Sequence, residues 1–324
     1  MATATAMAHA QATRGQLWFR ALRAPFLVAS VIPVILGGVL ALVAAHRTSA
    51  FAQPLPGFNG GWFVLTLVGA IAVHLATNML NDNFDFRSGN DLAVKHQNPF
   101  AGGGRVLTQR VLNVNAHLAV ALAFLALGAL IGLYLVAQVG FTLLWIGLVG
   151  VFGALFYVAP PIRLANRGVG EVFVGLSFGP LVVMGTYYVQ TQRLDWGPFF
   201  LSIAFGLLVA AILWINEFPD VDADLAVGKR TLMARLGYAR AIDWYFYLVA
   251  GAYVFVVLGV LTASLPWPVL LTFFTLPIAR KTFAHLQANA RDPMALIPAN
   301  AGTIQLTMLF GILVIVGVAA GLAL

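Results

Sequence analysis

The sequence contains no cysteine and little charge: 9% of its 324 residues are Asp, Glu, Lys or Arg, against about 25% in soluble domains. The first absence excludes disulfides and thiolate metal sites. The second excludes an ordinary water-soluble domain. No low-complexity linker interrupts the chain, and the alternating pattern of barrel strands is missing. What is present is apolar: 61% of residues are hydrophobic and the mean hydropathy is +0.91. Such a chain belongs inside a bilayer.

Apolar runs of about 20 residues, long enough to cross the hydrocarbon, predict about nine helical spans, near 25–45, 61–82, 114–135, 140–158, 169–190, 198–216, 243–263, 266–280 and 300–324. They follow one another too closely for a separate soluble domain. The expected organisation is all-α, with an N-terminal tail and interfacial helix over 1–24 and one polytopic membrane domain over 25–324. Before the first span, Arg14, Arg20 and Arg23 alternate with Trp18, Phe19 and Leu22, a pattern suited to an anionic membrane surface. No convincing small-residue cleavage site accompanies that span, so it is expected to be a retained helix.

Lys and Arg set the expected orientation. Sixteen of the eighteen fall in alternate segments: Arg14, Arg20 and Arg23; then Arg87, Lys95, Arg105 and Arg110; then Arg163 and Arg167; then Lys229, Arg230, Arg235 and Arg240; then Arg280, Lys281 and Arg291. Arg47 and Arg193 remain for the other side. The basic side is expected to be cytoplasmic, with the N-terminus inside and the C-terminus outside. Topology thus accounts for the net charge of +7, and no nucleic-acid partner is needed.

The scarce acidic residues are not scattered. Asn78 to Asp91 reads NMLNDNFDFRSGND and Asn216 to Leu232 reads NEFPDVDADLAVGKRTL; together they hold seven of the eleven acidic residues, each at the cytoplasmic end of an apolar run. Helical spacing puts Asn81 and Asp85 on one face, and likewise Asn216, Asp220 and Asp224. Stacked carboxylates repel, the more so where water is scarce, and a cation removes that cost. Hard oxygen ligands suit Mg²⁺, which takes one or two carboxylates and fills its other positions with water and phosphate. Each acidic cluster precedes a basic one, and GGRVLTQR (Gly103 to Arg110) aligns with GKRTLMAR (Gly228 to Arg235) as G-x-R-x-L-x-x-R, which suggests two related halves facing one site. Lys and Arg there suit phosphate as point charge and fork. The implied ligand is a diphosphate whose other end is a lipid chain. A single such cluster reads equally as solvated interfacial residues; two on one side, each beside a basic loop, favour function. Asp82 and Asp222, off the shared faces, read as supporting or solvated groups.

At these residues the sequence resembles the UbiA superfamily of intramembrane aromatic prenyltransferases. Asn81, Asp85 and Asp91 match its N-x-x-x-D-x-x-x-x-x-D motif, and Asp220 and Asp224 match its D-x-x-x-D motif. The run AVGKRTLMARLG is similar to that of the 1,4-dihydroxy-2-naphthoate polyprenyltransferases of the menaquinone pathway. YVAPPIRLANRGVGE (Tyr157 to Glu171) resembles the family's third cytoplasmic loop, and FGPLVVMGTYYVQ is in the style of the naphthoate branch.

The resemblance implies nine helices around a cavity open to the cytoplasm and to the bilayer, in a prokaryotic inner membrane. Asn81, Asp85 and Asp91 would hold one Mg²⁺, and Asp220 and Asp224 a second. Lys229 and Arg230, with Arg105 and Arg163, would neutralise the leaving diphosphate of an isoprenyl diphosphate. Asp85, Asp220, Lys229 and Arg230 are the expected catalytic groups; Asn78, Arg105, Tyr157, Arg163 and Asn216 are the expected substrate contacts. An allylic cation, shielded from water and steadied by aromatic faces, would be attacked by a small aromatic acceptor, in the naphthoate branch 1,4-dihydroxy-2-naphthoate. Phe84, Phe86, Tyr157, Tyr187 and Tyr188 are candidate shields, each also readable as ordinary packing. Asn78 reads equally as a helix-helix hydrogen bond, and His74, one turn away, as a packing histidine. Alternative acceptors are 4-hydroxybenzoate, another lipid-quinone precursor, a tetrapyrrole or a glycerol phosphate lipid. A transporter would instead place ionisable groups near the bilayer midplane, and an alcohol phosphotransferase would carry D-G-x-x-A-R, which is missing.

The charge asymmetry predicts that a reporter tag in the 225–240 loop is accessible only from the cytoplasm and a C-terminal tag only from outside. Labelling that finds both on one side contradicts the nine-span arrangement.

Overall fold

A computed structural model describes residues 13–46, 57–93, 98–100 and 105–322, and among these the backbone forms helices and turns without a strand. The helices are α1 (Arg14–Ala21), α2 (Val28–His46), α3 (Gly60–Ser88), α4 (Asn90–Ala93), α5 (Val114–Val139), α6 (Phe141–Phe156), α7 (Gly170–Thr191), α8 (Trp196–Glu217), α9 (Val221–Ala226), α10 (Leu232–Leu261), α11 (Leu276–Asn289) and α12 (Ile297–Ala320). Seven of them, α2, α3, α5, α7, α8, α10 and α12, are long and apolar enough to cross a membrane. The expected span at 140–158 is the shorter apolar helix α6, and the one at 266–280 is irregular, a 3₁₀ segment Trp267–Thr275 that passes into α11. Lys95, Gly103 and Arg47 lie outside the described residues.

Two helix ends matter for function. Helix α3 starts where the Asn59 carboxamide accepts a hydrogen bond from Trp62 N at 3.0 Å and runs past the apolar stretch to Ser88. Asn78 to Asp85 are therefore helical, and their spacing holds them on one wall. Gly89, at φ 83°, supplies the left-handed residue that ends α3 and turns the chain into α4, which carries Asn90 and Asp91. Helix α8 ends at Glu217, with Phe218 still in the helical region (φ −57°, ψ −46°); Pro219 has no N–H with which to carry the helical hydrogen bonds onward, and Asp220 then opens α9. Helices α4 and α9 pack against each other, so the two acidic segments meet although α3 and α8 stand apart.

Helix α8 is the most buried of the long helices. Its outer side joins α10 and α12 in the main apolar core, around Leu208, Ala211, Trp214, Tyr245, Val256, Leu306 and Phe310. Three polar contacts tie that core: Trp214 Nε1 donates to Ala241 O (2.8 Å), Tyr245 Oη meets Thr303 Oγ1 (2.8 Å) and Tyr253 Oη meets Thr275 Oγ1 (2.7 Å). On its other side α8 crosses α7 at Gly175, Gly179 and Gly206; a Cβ on Gly206 would collide with the Gly175 carbonyl oxygen. Small residues permit such close crossings in membranes. Next to this crossing α7 loosens into a π-helical turn, Ser177–Leu181, around Pro180.

The segments 105–110 and 228–235, which align in sequence, take different structures. Val106 and Leu107 are buried in a turn beneath α1, whereas Leu232 begins α10 behind the N-cap Thr231.

Gly206→Leu should destabilise the fold by about 1–3 kcal/mol, the usual scale of overpacking, seen as a lower unfolding temperature in detergent. Gly60→Ala, where an added Cβ meets nothing, should not, and equal behaviour of the two would contradict the close crossing.

Candidate active site

Between α2, α3, α5, α6, α7 and α8 lies a cavity of about 590 Å³. Its lining is apolar over most of its length, and its ionisable groups gather where α3 and α8 end. Asn78, Asn81, Asp85, Asp91, Tyr157, Asn216, Asp220, Asp224 and Lys229 all line it. Of the expected site residues, Arg105, Arg163 and Arg230 do not. Arg105 and Arg163 sit at left-handed turns (φ 56° and 50°) on flanking loops, and Arg230 is exposed, its carbonyl held by Arg235 Nε at 2.9 Å.

Lys229 joins the two acidic segments. Its Nζ lies 3.6 Å from Asp85 Oδ2 and 3.4 Å from Asp224 Oδ1. Burial works against its charge, but Asp85 and Asp224 outweigh it and hold the ammonium pKa above the ordinary lysine value. Asn81 Nδ2 donates to Asp85 Oδ2 at 3.2 Å, which leaves its carbonyl oxygen for a cation. Asn90 hydrogen-bonds the Asp224 carboxylate. Even so, burial, partly offset by Lys229, raises the Asp224 pKa. Asp91 is pushed up to about 8, first by burial and then by the charges of Asp85 and Asp82. The site therefore holds more negative charge than Lys229 balances.

This donor set fits Mg²⁺. Among the described residues no three acidic or histidine side chains form a ready-made metal cage, but Mg²⁺ needs only one or two carboxylates when a phosphate supplies the rest. Asn81, Asp85 and Asp91 from one segment, and Asp220 and Asp224 from the other, offer such sets. Asn78 Nδ2 is a buried donor with no partner among the described residues, so the helix-helix bond open to it in the sequence is not made through that nitrogen.

Several lining groups were not assigned to the site from the sequence. Arg23, expected on a membrane surface, instead lines the cavity and pairs with Asp82 at 3.5 Å, while its guanidinium stacks over Phe26 at 5.1 Å. Asp82 is thus a supporting group, and Asp222 is exposed. Glu217 lines the cavity beside buried Glu171, whose Oε1 accepts from Leu232 N at 2.7 Å. His74 also lines it, with Nδ1 2.6 Å from Ser30 Oγ. Among the aromatics, Tyr157, Phe100, Phe173 and Phe178 face the cavity. Tyr187 instead hydrogen-bonds Asp195, Tyr188 donates to Val139 O at 3.3 Å, and Phe84 and Phe86 belong to packing clusters.

Residues 30–299 match the model of the UbiA prenyltransferase family. The chain is 30% identical over 312 residues to a 2-carboxy-1,4-naphthoquinone phytyltransferase of Synechocystis sp., covering 95% of this chain and 94% of that one. It is 29% identical over 304 residues to a 1,4-dihydroxy-2-naphthoate octaprenyltransferase of Bacillus subtilis, covering 94% and 92%. In fold it is similar to a UbiA homolog from Aeropyrum pernix (TM-score 0.63, 17% identity, 90% of this chain and 97% of that one). It is also similar to one from Archaeoglobus fulgidus bound to DMAPP and Mg²⁺ (TM-score 0.59, 16% identity, 92% and 99%).

The raised Asp91 pKa has a definite sign. A carboxyl whose folded pKa lies above the unfolded value of about 3.9 loses stability as pH rises through the interval between the two. Without divalent cation, unfolding temperature should fall between about pH 4 and pH 8 and level off above that, and added Mg²⁺ should restore most at the upper end. Asp91→Asn should flatten both trends in a thermal-shift titration; unchanged trends contradict the assignment.

Proposed function

This chain belongs to the UbiA prenyltransferase family, and from that premise we propose that it transfers the polyprenyl group of an isoprenyl diphosphate to 1,4-dihydroxy-2-naphthoate. The observation that carries the reading is the convergence of two acidic segments and Lys229 at one end of a long apolar cavity. The choice of acceptor is supported by relatives, matched over nearly the full chain, that are named for 2-carboxy-1,4-naphthoquinone and for 1,4-dihydroxy-2-naphthoate.

The division of labour follows from position. Bound Mg²⁺, in two ions, supplies positive charge to the diphosphate as the allylic C–O bond breaks. Asn81, Asp85 and Asp91 would hold one ion and Asp220 and Asp224 the other. Lys229, already charged and already between Asp85 and Asp224, adds a fixed cation that needs no reorganisation when the leaving group forms. Asn78 and Asn216 offer amide donors to anionic oxygens. The apolar lining behind them takes the isoprenoid tail, and Tyr157, Phe100 and Phe178 exclude water and present π faces to the allylic cation. Arg105, Arg163 and Arg230 act from the flanking loops on the approaching anion. The site faces the cytoplasm, where the basic loops lie.

Asp85→Asn and Asp220→Asn are nearly isosteric and should each lower turnover by about 10²-fold or more, the scale of one lost preorganised electrostatic group. If both segments act on one diphosphate, the double variant should lose much less than the product. Mass spectrometry of the product should show loss of the acceptor carboxyl as CO₂. Full activity of both single variants, or of the parent after chelation, defeats the metal-diphosphate reading; a product that keeps its carboxyl moves the acceptor to another class.

A further inference from the structure

Asn216 is held by a chain of carboxamides that reaches from the loop after the first acidic segment to α12 and back to α8. Phe100 N donates to Asn98 Oδ1 at 2.8 Å, and Asn98 Nδ2 donates to Pro293 O at 2.8 Å and to Asn300 Oδ1 at 3.4 Å. Asn300 Nδ2 then donates to Ile215 O at 3.2 Å and to Asn216 Oδ1 at 2.8 Å. Asn98 and Asn300 are both buried.

A carboxamide can normally be turned over without changing its shape, so its oxygen and nitrogen are told apart only by their partners. Here the partners decide. A backbone N–H can only donate, so the Phe100 contact fixes the Asn98 oxygen. A backbone carbonyl can only accept, so Pro293 O fixes the Asn98 nitrogen and Ile215 O fixes the Asn300 nitrogen. The Asn216 atom 2.8 Å from that nitrogen must therefore be the oxygen. Asn216 lines the cavity, its oxygen accepts from Asn300, and its NH₂ has no partner among the described residues.

We propose that Asn98 and Asn300 are positioning residues that lock Asn216 as a hydrogen-bond donor to an anionic oxygen of the prenyl diphosphate. In this arrangement the Asn216 NH₂ is kept for the diphosphate while Asn300 occupies one acceptor position of its oxygen; Asn216 lies in the last turn of α8, and Asp220 opens α9 beyond the break at Pro219. This deepens the prenyltransferase reading and rests on it. It also gives the loop after the first segment a direct physical connection to the second: Phe100 lines the cavity, and its main chain sets the first amide of the series.

The test is calorimetric binding of a non-reacting isoprenyl thiodiphosphate analogue to the full-length protein in detergent, with the Mg²⁺ concentration for half-maximal binding measured alongside. Asn300→Asp keeps the size but cannot donate to Ile215 O or to Asn216, so Asn216 turns over and presents its oxygen. Analogue affinity should drop about 10- to 100-fold, the scale of a hydrogen bond to a charged group, with the Mg²⁺ midpoint within about twofold of the parent. In turnover assays the loss should fall on KM for the prenyl diphosphate more than on kcat. Adding Asn216→Ala to Asn300→Asp should cost little more, because the two act on one contact. Asn216→Asp places a carboxylate against the diphosphate and should weaken the analogue at least as much. If Asn300→Asp does not fold, by thermal unfolding and size exclusion, Asn216→Asp decides by the same criteria. Unchanged affinity in the folded Asn300→Asp variant, or tighter Mg²⁺ and analogue binding by Asn216→Asp, overturns the inference while leaving the parent's activity intact. A parent protein that does not bind the analogue removes the prenyltransferase reading and the inference with it.

Discussion

Uncompensated negative charge at one end of an apolar cavity is the constraint on which the rest of this molecule turns. Asp85, Asp91, Asp220 and Asp224 share that end with one lysine, in surroundings where water is scarce and like charges repel strongly. Removing such groups from water is costly unless they are paired. Lys229 meets part of that demand by bridging Asp85 and Asp224, and the raised pKa of Asp91 shows that part of it remains. A site left in this condition is disposed toward cations, and toward an anion that arrives with them.

Holding that charge in place requires a stiff frame, and α8 provides it. One side of α8 is sealed into the apolar core with α10 and α12, and the other meets α7 at a crossing that only glycine allows. Movement of the second acidic segment relative to the cavity wall is limited from both directions. The first segment is anchored differently, through helix α3 itself and through α4 packed on α9. Asn90, hydrogen-bonded to Asp224, and Lys229 are the points at which the two anchors become one site. The carboxamide series through Asn98 and Asn300 adds a third link, in which polarity and not merely shape is specified.

Along α3 the cavity wall changes character in a fixed order. Thr66, Gly69, Ala70 and Val73 give way to His74, then Asn78, Asn81 and Asp85, at about 1.5 Å of rise per residue. The threonine hydroxyl of Thr66 is spent on its own helix, on Trp62 O at 2.8 Å, so that stretch remains effectively apolar. A substrate with a greasy tail and a doubly charged head matches this gradient in only one direction. The proposed prenyl transfer would use such an ordering, since charge would be stabilised at the diphosphate while the reacting carbon is kept from water.

Much of this was legible in the amino-acid sequence, for a physical reason. Lipid imposes long apolar helices, and the scarcity of charge made each acidic residue conspicuous, so the all-helical class and the two acidic segments followed from composition and helical period alone. The roles of Asn81, Asp85, Asp220 and Asp224 as neighbours on helix faces are local properties, fixed by spacing. What the sequence left open were contacts between residues far apart in the chain. Arg23 read as a surface residue because nothing local says that it reaches Asp82, 59 positions on. Arg105, Arg163 and Arg230 carried the right charge, but none of them lines the cavity. Tyr187 and Tyr188 were as plausible as Tyr157 until packing assigned them elsewhere. Asn300 gave no sign of itself, since a lone asparagine in an apolar helix reads the same whether it bonds a backbone or orients a ligand. Sequence determined which faces are polar and at which ends of which helices; only the tertiary structure decided which of those faces meet, because that depends on how α3, α7, α8 and α12 pack.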